Sequence, residues 1–68
     1  MTEQELDRVG ELLRRDGASY ADGVVDHVRG GALHLTVYRP GSYGARAEDV
    51  IRRWLIPPNG QVVPLFLP

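Results

Sequence analysis

The chain has 68 residues and no cysteine, which leaves room for one small core and excludes disulfides, thiolate metal sites and thiol nucleophiles. Hydrophobic residues at 43% and charged residues at 25% are the proportions of a folded protein rather than a disordered one. The net charge is −1 and all eight basic residues are Arg, so the chain as a whole has no pull toward nucleic acid or an anionic membrane.

Charge is unevenly placed along the chain. Residues 1–28 hold three Arg against seven acidic residues, and residues 29–68 hold five Arg against Glu48 and Asp49. The N-terminus lacks the basic stretch and apolar run of a signal peptide, and no segment approaches the roughly 20 apolar residues of a membrane span. The expectation is one compact domain over residues 1–68, soluble and cytoplasmic.

A helix is expected first. Thr2-Glu3-Gln4-Glu5 fits a capping box, with Met1 and Leu6 placed to form a hydrophobic staple. Leu6, Val9, Leu12 and Leu13 recur at helical spacing, and Asp16-Gly17 reads as the stop. Gly10 inside the helix weakens it by about 1 kcal/mol relative to Ala, which suggests close approach to another element.

Residues 23–39 predict a β-hairpin around Gly30-Gly31. A two-residue type I′ turn there pairs Val28 with Leu33 and His27 with His34. That register puts Val24, Val28, Leu33, Leu35 and Val37 on the core face, with Asp26 as its one polar member. Pro40–Gly44 is a loop by composition. Ala47, Val50, Ile51, Trp54 and Leu55 then fall at i, i+3, i+4, i+7 and i+8, predicting a second helix from about Ala45 to Leu55. Glu48 with Arg52 and Asp49 with Arg53 have the i, i+4 spacing that supports it. After a Pro58-Asn59-Gly60 turn, Gln61 to Leu67 reads as a strand, held at a sheet edge by Pro64. The expected fold is α+β in the order α-β-β-α-β. Its three-stranded sheet has strand order 2-1-3, with both helices packed on one face.

Chemistry is sparse. His27 and His34 face each other in the expected register, but two His without an adjacent acid fall short of a metal site, and no metal or other cofactor is expected. Neither Ser19 nor Ser42 has a base placed by local sequence to activate it, and a chain this short struggles to enclose a substrate cavity. The expectation is therefore no enzyme. The leading reading is a small protein-interaction module, an inhibitor or adaptor of the size that phages and mobile elements use. It docks on a larger protein or nucleoprotein complex. Two surfaces suit that role: the acidic helix face of Glu3, Asp7 and Glu11, and the apolar C-terminal edge of Val63, Leu65 and Leu67, which also invites pairing with a second copy. The alternative is an anion- or nucleic-acid-binding module using Arg39, Ser42, Tyr43, Arg46, Arg52 and Arg53, where the 39–46 loop would feed the start of the second helix.

Overall fold

The computed structural model describes residues 1–44 and 46–66. One helix, α1 (Glu3–Arg15), precedes four strands: β1 (Gly23–His27), β2 (Leu33–Tyr38), β3 (Val50–Ile56) and β4 (Val63–Leu65). The strands form one antiparallel sheet in the order β1-β2-β3-β4. The class is α+β as expected, but the order is α-β-β-β-β, with one helix and a four-stranded meander instead of two helices on a 2-1-3 sheet.

Local signals set α1 as anticipated. The Glu5 N–H donates to Thr2 Oγ1 (3.1 Å) and the Thr2 N–H donates to Glu5 Oε1 (2.8 Å), closing the capping box. Gly17 adopts φ +69° and lets the Ala18 N–H reach back to the Leu13 carbonyl at 2.9 Å. Met1 and Leu6 are both exposed, so the expected staple contributes no burial. Gly10 does mark a close approach, because the Tyr20 side chain crosses it. A Cβ on Gly10 would lie 2.2 Å from the Tyr20 hydroxyl, which donates to the Leu6 carbonyl at 3.3 Å.

The hairpin forms in a register one residue away from the expected one. Arg29, Gly30 and Gly31 make a three-residue loop closed by the Val28 N–H on the Ala32 carbonyl (3.0 Å), with both glycines at positive φ. His27 therefore pairs with Leu33, Asp26 with His34, Val25 with Leu35 and Val24 with Thr36. A one-residue slip turns every side chain of β1 to the other face. The observed register carries Asp26 out of the apolar face, where an unpaired carboxylate would be costly, and brings Val25 in. His27 and His34 now lie on opposite faces of the sheet.

The segment expected as a second helix is β3, preceded by a single 3-10 turn at Ala47–Asp49. Val50, Ile51, Trp54 and Ile56 are β-branched or aromatic and favour a strand. The deciding factor is the far edge of β2: its buried Leu33 and Leu35 gain Ile56 and Trp54 as direct neighbours, which a helix there would not supply in register. Ile51 is the extra residue of a bulge between the Arg52–Val37 and Val50–Tyr38 pairs. Glu48, Asp49 and Arg52 take other partners, as described below, and Arg53 forms no ion pair among the described residues.

Val9, Leu12 and Leu13 of α1 pack on Leu33, Leu35 and Val37 of β2 and on Trp54 and Ile56 of β3, forming the core. Val25, Ala18 and Val62 close its margins. Two polar ties fix α1 over the sheet. The Trp54 indole N–H donates to Asp16 at 3.0 Å, and the Arg8 guanidinium donates to the Pro57 and Gly60 carbonyls at 2.6 and 2.9 Å.

β4 is an edge strand, as Pro64 requires. In an antiparallel ladder, bonded and non-bonded residue pairs alternate. Starting from the Val28–Ala32 bond, that alternation makes Arg53–Leu65 and Leu55–Val63 bonded pairs and Trp54–Pro64 a non-bonded one. Pro64 thus turns its backbone outward, and it has no N–H to offer a further strand.

Candidate functional site

With α1 covering one face of the sheet, the other face carries no second layer among the described residues. Alternation places Val24 and Asp26 of β1 there, with His34, Thr36 and Tyr38 of β2, Arg53 and Leu55 of β3, and Val63 and Leu65 of β4. Thr36 at the centre is buried by its neighbours, whereas Val24 and Val63 are 43% and 45% exposed. Tyr38, Leu55 and Leu65 are half-buried. The result is an apolar group of Leu55, Val63 and Leu65 on β3 and β4, with His34 beside Leu55 and Arg53 between Thr36 and Leu65, while Tyr38 lies apart, opposite Val50.

The loop after β2 bounds this face. A Cβ on Gly44 would touch the Tyr38 ring at 3.5 Å and Val24 at 3.8 Å, so the loop lies against that corner of the sheet. Its anchor is Asp22, only 4% exposed. One carboxylate oxygen accepts from both the Ser19 N–H and the Ser19 hydroxyl at 3.1 Å, and the other accepts from the Gly41 N–H at 3.1 Å. These bonds, the Ser19 N–H first, hold the Asp22 carboxyl below its ordinary value of 3.8. Glu5 is likewise held below 4.5, chiefly by the Thr2 N–H.

A lowered folded-state pKa contributes stability above the unfolded-state value and loses it as pH falls through the folded one. Resistance to urea is therefore expected to decline as pH drops below the ordinary values of 4.5 for Glu5 and 3.8 for Asp22 and on through their lower folded ones. Asp22→Asn should flatten part of that decline, as read from unfolding midpoints across the acid range. An unchanged pH profile in the variant would remove Asp22 from the account.

The surfaces expected from sequence separate in space. Glu3, Asp7 and Glu11 are exposed on the outer side of α1, whereas Val63 and Leu65 lie on the open sheet face behind it. Leu67 is outside the described residues. The Val63 and Leu65 side chains lie on the open face, while at Pro64 the outer backbone edge of β4 has no N–H.

The Arg-bearing constellation is not assembled. Among the described residues the 39–46 loop leads only into the 3-10 turn at Ala47–Asp49 and no α-helix, so there is no helix dipole to hold an anion. Arg39 pairs with Asp49, Arg46 lies 3.7 Å from Glu48, and Arg52 lies 3.6 Å from Asp16 while stacking near the Trp54 ring. Arg52 points to the helix face and Arg53 to the open face, as neighbours in a strand must. The Ser42 hydroxyl is buried with no hydrogen-bond partner among the described residues, instead of being presented to a ligand. Tyr43 alone stands out, 73% exposed and held at φ +55°.

Sequence reading missed Leu55 and Val24 as surface apolar residues, and Asp16 and Asp22 as tethers. The Ser19-x-x-Asp22 spacing was a legible signal for the last, since a Ser or Thr three residues before an acid commonly closes a helical turn. Two cavities, of about 210 and 260 Å³, flank the two ends of α1. Both are smaller than the roughly 300–1,000 Å³ of ordinary ligand pockets. Among the described residues, no group of three or more His, Asp or Glu could hold a metal, and no helix is long and apolar enough to cross a membrane. No protein-family model, no curated protein and no solved structure matches the chain.

Proposed function

We propose that this chain is a non-enzymatic protein-docking module, an inhibitor or adaptor, that binds a larger protein through the open face of its sheet. One observation carries this reading: the apolar group of Leu55, Val63 and Leu65 lies on a sheet face with nothing packed over it among the described residues. Half-exposed Leu and Val side chains on a rigid sheet have little conformational freedom to lose on binding, and the flanking Asp26, His34 and Arg53 supply a polar rim. The acidic side of α1 lies on the other side of the sheet from this group. A partner seated on the group does not reach it without wrapping the module.

The test is capture of a binding protein by the immobilised chain after nuclease treatment, repeated with Leu55→Arg. Arg at a half-buried surface site can extend its head into water, so the fold should survive. Loss of a central apolar anchor typically costs about 2 kcal/mol, roughly thirtyfold in Kd. Retention of the partner by wild type and its loss with Leu55→Arg, with circular dichroism unchanged, is the expected result. A partner that leaves with the nucleic acid, or that ignores Leu55→Arg, would contradict the reading.

A further inference from the structure

The two edges of the sheet are not equivalent. β4 presents Pro64 outward and has no N–H at that position. β1 is different. The alternation set by the Val28–Ala32 bond makes Asp26–His34 and Val24–Thr36 the bonded pairs, so Val25 and His27 turn their backbone groups away from β2. The Gly23 N–H is taken by the Tyr20 carbonyl. The N–H and C=O groups of Val25 and His27 have no hydrogen-bond partner among the described residues. No proline interrupts β1, and its bounding residues Val24, Asp26 and His27 are all exposed.

We propose that β1 pairs with β1 of a second copy, antiparallel about a two-fold axis at Val25, joining two four-stranded sheets into one. Three features favour a second copy as the occupant. The outward groups recur at Val25 and His27 and at the Gly23 carbonyl, and an antiparallel copy centred on Val25 matches all of them except the His27 carbonyl, whose opposite N–H at Gly23 is already held by Tyr20. Val25 then exchanges bonds with Val25 of the second copy, and the His27 N–H meets the Gly23 carbonyl. Second, this register sets Asp26 opposite Val24. The neighbouring register, centred on Asp26, would set two carboxylates directly opposite each other, which is unfavourable. Third, among the described residues only the β1 edge has its full set of backbone groups, so the assembly closes at two copies and does not grow into a filament. The pairing is independent of the open-face reading, and it sets two open faces side by side.

The register gives the test. Val24 faces Asp26 of the second copy, and the pair occurs twice. Val24→Lys should therefore tighten the dimer about fivefold and Val24→Glu weaken it by a similar factor. The double variant Val24→Lys, Asp26→Lys should lose the gain. Dissociation constants come from sedimentation equilibrium, with circular dichroism to show that each variant is folded. Amide exchange at Val25 and His27 should slow at concentrations where the dimer forms. A chain that stays monomeric at millimolar concentration would overturn the proposal. So would a dimer that ignores charge at position 24, or one abolished by Leu55→Arg, which would put the contact on the open face.

Discussion

Leu35→Ala is expected to remove most of the stability of the fold. Leu35 is fully buried in β2, between Val25 on one side and Trp54 on the other, beneath α1. Truncating a buried Leu costs about 2–5 kcal/mol, and the loss is largest where neighbours cannot collapse into the space. Here they are held by strand pairing on both sides. A chain of this length has a total stability of roughly 3–10 kcal/mol at about 0.05–0.15 kcal/mol per residue. Urea unfolding should therefore show a greatly lowered midpoint, or no folded baseline. The comparison is Leu55→Ala, one strand over but on the open face. It should cost less than about 1.5 kcal/mol, because the side chain is only half-buried and leaves no enclosed cavity. Equal costs at the two positions would mean that the faces are assigned wrongly.

Asp16→Ala is expected to loosen α1 from the sheet. The Asp16 side chain, 8% exposed, accepts the Trp54 indole N–H at 3.0 Å and lies 3.6 Å from Arg52. Removing it leaves a buried N–H unpaired, at a cost of about 1–3 kcal/mol. Asp16→Asn keeps an oxygen for the indole and should recover much of the loss, leaving only the weaker Arg52 contribution. The single Trp of the chain reports directly: its fluorescence should shift in Asp16→Ala and stay close to wild type in Asp16→Asn. Identical behaviour of the two variants would place the stabilising role in the charge instead of the hydrogen bond.

The parts of the fold legible in the sequence are those specified locally. Thr2, Glu5, the Val9–Leu12–Leu13 stripe and Gly17 fix α1 without reference to anything distant. The glycine pair at 30–31 marks a reversal, but it serves a two- or a three-residue loop equally well. The choice between them depends on which β1 residues meet the Leu33–Leu35–Val37 row, and that row favours Val25 over Asp26. Residues 47–55 satisfy helical spacing and strand propensity together. Their fate was settled by β2, whose second edge needed a partner that brought Trp54 beside Leu35.

The candidate site follows the same division. Val63 and Leu65 were legible because apolar residues next to an edge Pro are conspicuous. Leu55 was hidden inside a supposed helix stripe, and Val24 was assigned to the core by the slipped register. The Arg constellation was drawn together only by the helix that does not form.

The most direct test of the docking account is a photo-crosslinking map in cells of the native source, with a photoreactive amino acid placed singly at Leu55, Val63, Glu3, Glu11 and Tyr43. The account predicts a crosslinked protein adduct from positions 55 and 63 and none from Glu3, Glu11 or Tyr43. An adduct only from positions 3 and 11 would put the docking surface on the acidic side of α1. Adducts to nucleic acid from Tyr43, with positions 55 and 63 silent, would contradict protein docking through the sheet altogether.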